Sequence, residues 1–259
     1  MRRIKLTVAY DGTDYCGWQY QPGKPTIEGV LNEELSRLLG EDIRVIGASR
    51  TDAGVHAEGA VCVFDAESKI PGEKFSYALN RSLPEDIVIR ASCEVSPDFH
   101  PRRTASRKTY RYSIWHDEFM LPTLSRYTHW VYTPLDIEAM KQACEYFAGE
   151  HDFKSFCSVH TQAESTVRTI YDMHIEAGGD FNRAFTKPRY YGKIDIFVTG
   201  NGFLYNMVRI IAGTLIEVGQ KKLLPENICD IIQSGDRSCA GNTAPAKGLT
   251  LVGYDTEAL

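Results

Sequence analysis

The order of hydrophobic periodicities along this chain leaves few folds open to it. Ile4, Leu6, Val8 and Tyr10 alternate with Lys5, Thr7 and Ala9, the period-two pattern of a strand with one buried face. Ile27, Val30, Leu31, Leu35, Leu38 and Leu39 then fall at helical spacing, with Thr26 placed to cap the start and Gly40 the end. Apolar runs over 43–48 and 60–64 predict two more strands. Phe75, Ala78 and Leu79 predict a second helix, stopped near Pro84, and Ile87, Val88 and Ile89 a last strand. The succession β-α-β-β-α-β is the ferredoxin-like arrangement. The second half repeats the theme. Tyr110, Tyr112 and Ile114 alternate as a strand, and Thr133-Pro134 opens a helix carrying Ile137, Met140, Cys144 and Phe147. Strands follow around Tyr171, Met173 and Ile175 and around Ile194, Ile196 and Val198. Gly200-Asn201-Gly202 turns the chain into a helix over 203–218; a further helix near Ile228 precedes a strand over 249–254. The expected fold class is α+β: two ferredoxin-like domains, 1–105 and 106–259, whose antiparallel sheets flank a central cleft suited to an extended polar ligand.

Between two of those strands lies Ser49-Arg50-Thr51-Asp52-Ala53-Gly54-Val55-His56-Ala57. It is a polar loop between apolar segments, and it sets one acid, Asp52, between a cation and glycine-hinged turns. Loops held by a rigid scaffold carry much of protein chemistry. Thr-Asp-Ala-Gly is also ordinary turn chemistry, because Asp bonds its own backbone and Gly supplies positive φ. Spacing alone leaves both readings open.

Composition excludes several classes. Of 259 residues, 43% are hydrophobic and 24% charged, values ordinary for a globular protein. Met1-Arg2-Arg3-Ile4-Lys5 runs directly into a strand pattern, so no secretory leader is expected. The longest apolar stretch, 203–218, is too short to span a bilayer and carries Arg209 and Glu217. Seven cysteines are scattered singly with no Cys-x-x-Cys pair, which points to reduced thiols in a cytoplasmic protein. Cys157-Ser-Val-His160 with His151 upstream is an incomplete zinc set, so no metal is expected. There is no Walker-type loop or dinucleotide fingerprint, and no cofactor is expected. The net charge of -5 argues against a nucleic-acid partner, but Arg102, Arg103, Arg107, Lys108 and Arg111 crowd a segment free of acids. Tyr110 and Tyr112 lie within or beside it. Cations interleaved with aromatics suit an RNA backbone and its bases, whereas the bland alternative is a solvated basic linker.

Arg209 falls on a helix that is apolar around most of its circumference, and such a helix is buried. A buried guanidinium requires a partner. It either snorkels toward Glu217 or a carbonyl, or pairs with an acid such as Asp52. Tyr110 reads equally as a core aromatic. Trp18 and Gln19 either pack or line a ligand path, and His56 reads as structural. Asp11 and Asp14 offer second carboxylates whose distance from Asp52 the sequence leaves undefined.

Six segments change the balance: Tyr10-Asp11-Gly12-Thr13-Asp14-Tyr15-Cys16-Gly17-Trp18-Gln19, Arg50-Thr51-Asp52-Ala53-Gly54-Val55-His56-Ala57, Lys108-Thr109-Tyr110-Arg111-Tyr112, Ser165-Thr166-Val167-Arg168-Thr169-Ile170, Gly202-Phe203-Leu204-Tyr205-Asn206-Met207-Val208-Arg209 and Pro245-Ala246-Lys247-Gly248-Leu249. Through them, in order along nearly the whole chain, the protein resembles the tRNA pseudouridine synthase A family. Ser49 stands where that family usually has Gly, a departure that bears on Arg50 and leaves Asp52 in place. The resemblance implies isomerisation of uridine to pseudouridine at nucleotides 38, 39 and 40, in the anticodon stem-loop of tRNAs. It implies that Asp52 is the nucleophile and that Arg209 pairs with it at the domain interface and holds it ionised. Tyr110 would stack on or touch the target uracil. Arg50 reads either as a solvent-exposed loop cation or, from its place beside the acid, as one that fills the space of the extruded base or binds phosphate. It further implies a homodimer with tRNA lying across both subunits. A non-catalytic RNA-binding module would show an RNP-type aromatic strand, which this chain lacks; a glycosidase with paired carboxylates is the weaker alternative. The irregular stretch 181–191 is assigned no role.

Overall fold

A computed structural model describes residues 1–158, 163–178 and 190–256 as a mixed, mostly antiparallel α+β structure. Its contacts divide into two compact units, Met1–Ser106 joined by the chain from Thr250 onward, and Arg107–Leu249.

The first unit runs β1 (Arg2–Tyr10), α1 (Ile27–Leu39), β2 (Ile46–Gly47), β3 (His56–Ala66), α2 (Phe75–Leu79) and β4 (Ile87–Val95). β1 lies between β3 and β4, antiparallel to both, and β2 is antiparallel to β3. The alternation read in β1 is the observed burial: Ile4, Leu6, Val8 and Tyr10 are buried, and Lys5, Thr7 and Ala9 are not. α1 buries Ile27, Leu31 and Leu35 and begins where expected, with Thr26 Oγ1 accepting from the Gly29 N–H at 3.3 Å. It ends on Gly40 at φ 73°, a left-handed cap that glycine adopts without a Cβ penalty. The strand expected over 43–48 shrinks to β2 for a physical reason. The Ile43 N–H donates to Ser36 Oγ (2.9 Å) and the Val45 N–H to Asn32 Oδ1 (2.8 Å), so side chains of α1 take donors a longer ladder would need.

The second unit runs β5 (Arg107–His116), β6 (His129–Val131), α3 (Ile137–Glu145), β7 (Gly149–Asp152), β8 (Val167–Ala177), β9 (Gly192–Gly200), α4 (Met207–Gly219) and α5 (Asn227–Ser234). β5, β9, β8 and β7 pair antiparallel in that order, and β6 pairs parallel with β5. Tyr110, Tyr112 and Ile114 share a buried face with Val198, Ile196 and Ile194, their register partners on β9. Two helix starts differ from expectation. α3 is capped by Asp136, which accepts from the Ala139 N–H at 3.1 Å, rather than opened at Thr133. α4 begins at Met207 rather than 203, because Asn206 stands at φ 62° and breaks the helical path. The last strand, β10 (Leu249–Asp255), returns to the first unit and pairs parallel with β3, Thr250 opposite His56 and Leu251 opposite Ala57.

Candidate active site

The loop carrying Asp52 is built from both ends. On its entering side the Ala48 N–H donates to the Val61 carbonyl (2.8 Å), and on its leaving side the Val55 N–H donates to the Asp52 carbonyl (3.2 Å). The turn after β1 backs the middle. The Trp18 N–H donates to the Thr51 carbonyl (3.0 Å), the Gly54 N–H to the Tyr15 carbonyl (3.3 Å), and the Tyr10 hydroxyl lies 2.8 Å from Thr51 Oγ1. Two glycines make this approach possible. Gly17 sits at φ +88°, where a Cβ would stand 2.6 Å from the Thr51 carbonyl oxygen, and a Cβ on Gly12 would overlap the Val55 carbonyl. Trp18 is 1% exposed and its indole covers Gly47, so it packs; Gln19 is exposed. His56 is buried, and its Nδ1 accepts from the Gly12 N–H at 3.1 Å, a structural clasp. Asp11 accepts from the Thr13 N–H (3.0 Å) and hydroxyl and closes its own turn. The result is a half-buried Asp52 on a clamped backbone, between buried Thr51 and exposed Ala53, with Arg50 exposed beside it. The Ser49 hydroxyl is buried and makes no hydrogen bond among the described residues.

In the second unit Tyr110 is 7% exposed, and its ring meets Phe203 edge-to-face at 5.1 Å. Tyr112 is fully buried, and its hydroxyl donates to the Pro245 carbonyl at 3.0 Å. Burial pushes its phenol well above the usual range, against the opposing pull of the nearby Arg209 charge. A Cβ on Gly248 would come within 2.7 Å of the Tyr112 ring, so the Pro245-to-Leu249 motif is the wrap around this tyrosine. Arg209 is half-buried on α4, whose remaining residues apart from Glu217 are buried. Its Nε donates to the Ala244 carbonyl (2.8 Å) and its Nη1 to Asn206 Oδ1 (2.7 Å). Glu217 instead accepts from the Asn242 N–H (3.2 Å). Tyr110 and Arg209 are thus tied to one short segment, 203–206, through Phe203 and Asn206.

The basic segment is less uniform than its sequence. Arg102 donates from Nε to the Gly47 carbonyl (2.8 Å), just before the Asp52 loop, while Arg103 is exposed. Along β5 the side chains alternate, so Arg107 and Arg111 take one face and Lys108 and Tyr110 the other. The Arg107 guanidinium lies over the Tyr171 ring, 4.7 Å from its centre. At the weak zinc candidate, His151 Nε2 lies 2.9 Å from the Ala148 carbonyl and the Cys157 thiol donates to the Ser158 carbonyl; His160 is outside the described residues. Among the described residues no group of three His, Cys, Asp or Glu could hold a metal ion, and no helix is long and apolar enough to cross a membrane. Of the stretch 181–191, only Tyr190 and Tyr191 are described, both against the His116 ring.

Sequence reasoning missed the Tyr10–Thr51 hydroxyl pair and the Asn206–Arg209 bond. Asn206 did leave a signal, since Asn tolerates the left-handed region and often marks a helix boundary.

The chain is similar to known proteins along nearly its whole length. A family model described as tRNA pseudouridine synthase matches residues 6–102 and 143–255, which take in Arg50, Asp52, Arg102 and Arg209 and leave Tyr110 between the matched segments. A protein of Ruminiclostridium cellulolyticum named tRNA pseudouridine synthase A is 50% identical over 252 residues, 97% of this chain and 98% of its own length. Proteins of the same name from Brevibacillus brevis and Caldicellulosiruptor saccharolyticus are 48% and 46% identical with the same coverage. With matches that run from β1 to β10 and include the Asp52 loop, the chain belongs to the tRNA pseudouridine synthase family.

Proposed function

We propose that this protein is an isomerase that converts uridine to pseudouridine in tRNA, with Asp52 as its nucleophile and nucleotides 38, 39 and 40 of the anticodon stem-loop as its targets. The observation that carries the reading is the near-full-length similarity to proteins named tRNA pseudouridine synthase A, running through a loop whose only half-buried carboxylate is Asp52. The reaction needs no oxidant and no energy source. The bond from uracil N1 to ribose C1′ breaks, the uracil turns, and C5 bonds to C1′. The proton leaves C5 and N1 gains one, so atoms balance within the nucleotide. Asp52 supplies the carboxylate that adds to the nucleotide and leaves again. A cation keeps such a carboxylate ionised at neutral pH, the role proposed for Arg209. Tyr110, presented by β5 and braced by Phe203, is proposed to bear on the uracil ring. Arg50, exposed beside Asp52, is proposed to meet the phosphate or the space left by the extruded base.

The order β4-β1-β3-β2 in the first unit supports reading it as ferredoxin-like, and the second unit is read as its relative. Arg102, Arg103, Arg107, Lys108 and Arg111 are proposed to contact the tRNA backbone. A homodimer with tRNA across both subunits, in the cytoplasm, completes the proposal.

The test is incubation of the protein with unmodified tRNA transcripts, followed by pseudouridine-specific chemical labelling and primer extension. Stops at the 3′ side of the anticodon stem-loop are expected. Stops elsewhere in tRNA would overturn the proposed targets, and no labelled nucleotide with folded protein would overturn the activity.

A further inference from the structure

We infer that Asn206 is a positioning residue that sets the guanidinium of Arg209, an inference that rests on the role of Arg209 proposed above. Two described residues other than glycine have positive φ, and Asn206, at φ 62° and ψ 5°, is one of them. A non-glycine residue in the left-handed region is uncommon and persists where its surroundings hold it there. Those surroundings are visible. The Asn206 amide donates from Nδ2 to Ser158 Oγ at 2.8 Å, and the Ser158 N–H donates to the neighbouring Tyr205 carbonyl at 3.1 Å. The segment before Ser158 is itself anchored, since the Ser155 hydroxyl donates to the Ile231 carbonyl of α5. On its other side the same amide accepts from Arg209 Nη1 through Oδ1 at 2.7 Å.

The geometry has a direction. Asn206 stands at the N-terminal boundary of α4, and its side chain does not cap the helix. A capping asparagine would take an extended backbone and accept from an N–H of the first turn. This one gives up that bond, takes a costlier backbone, and spends its oxygen on Arg209. The Ala244 carbonyl holds Nε at 2.8 Å, and the Ala244 N–H returns a bond to the Arg209 carbonyl at 3.1 Å. Two of the three guanidinium nitrogens are therefore fixed by neutral acceptors, which orient the fork without cancelling its charge. A cation that must hold a carboxylate ionised in one reactive position gains most from such preorganisation.

Asn206→Gly is the informative variant, because glycine enters the left-handed region at no steric cost and removes only the amide. We measure turnover of tRNA, KM and thermal melting for this variant alone and in an Arg209→Lys background. The expected result is a kcat lower by about tenfold to a hundredfold, the loss typical of a reacting group left loosely placed, with KM unchanged and the protein folded at the assay temperature. In the Arg209→Lys background, where the fork is already gone, Asn206→Gly is expected to cost nothing further in kcat. A wild-type kcat, or the same loss in both backgrounds, would overturn the inference while leaving the function intact. So would a loss that comes with a lower melting temperature and a raised KM. A wild-type kcat for Arg209→Lys and Arg209→Ala alike would overturn the role of Arg209 itself and this inference with it.

Discussion

Thr51 shows how one residue fixes its neighbour. Its carbonyl takes the Trp18 N–H and its hydroxyl meets that of Tyr10, both within buried surroundings, so the residue before Asp52 has no freedom to turn. Tyr10→Phe removes one oxygen and leaves Thr51 Oγ1 without that partner. The expected cost is about 1 kcal/mol of stability, read as a lower urea midpoint at unchanged slope; an unchanged midpoint would show that the hydroxyl pair contributes nothing. His116 is held from both sides of its ring. Its Nε2 donates to the Thr133 carbonyl (3.0 Å) and its Nδ1 accepts from the Tyr191 N–H (3.2 Å), so the neutral ring is fully engaged and a second proton must break a bond. Burial holds this imidazole below its ordinary range, and burial followed by the Lys247 charge does the same to His129. The unfolded chain therefore takes up protons near pH 6.5 that the folded chain refuses. Stability is full above that pH and is lost as pH falls through it. The urea midpoint is expected to drop between about pH 7.5 and about pH 5.5, less so in His116→Gln. A midpoint that stays level or rises would contradict this.

At the scale of elements, α4 is the piece whose packing sets the second unit. A Cβ on Gly213 would overlap the Asn242 carbonyl, and one on Gly241 would stand 2.7 Å from Thr214 Cα; the Thr214 hydroxyl accepts from the Gly241 N–H at 2.9 Å. In an isolated helix Gly→Ala gains about 1 kcal/mol. Here the overlap is with backbone, which cannot rotate away, and overpacking costs about 1–3 kcal/mol. Gly213→Ala is thus expected to lower the melting temperature, and a stabilised variant would show that the 240–244 segment yields freely. Most elements were legible in sequence, most clearly those with a sustained period: β1, α1 with both caps, β5 and β9. Those that escaped had none. β6 is three residues held by a neighbour, and β7, Gly-Glu-His-Asp, is a polar edge with no alternation. The start of α4 was misread because Phe203 and Leu204 continue its apolar pattern, while the left-handed backbone of Asn206 that stops it has no hydrophobic signature.

For the molecule as a whole, local pattern reached the first unit's β-α-β-β-α-β order but not the parallel pairing of β10 on β3, since pairing between positions so far apart leaves no trace in periodicity. Likewise Asp52, Arg209 and Tyr110 were nameable through the resemblance, whereas the bonds that seat them became visible only in three dimensions: Trp18 on Thr51, Ala244 and Asn206 on Arg209, Phe203 on Tyr110. An acidic chain of net charge -5 that acts on a polyanion must rely on local placement of its cations rather than on its overall field. Whether Asp52 reacts is read by single-turnover conversion of undermodified tRNA by Asp52→Asn at saturating enzyme. Product is scored by pseudouridine-specific labelling, because isomerisation leaves mass unchanged, and tRNA binding is measured in parallel. Asn is close to Asp in shape and keeps most turn hydrogen bonds, but it supplies no carboxylate nucleophile. The expected result is normal melting, near-normal tRNA affinity and no pseudouridine. Near-wild-type conversion by folded Asp52→Asn protein would reduce Asp52 to a turn residue and remove it as the nucleophile.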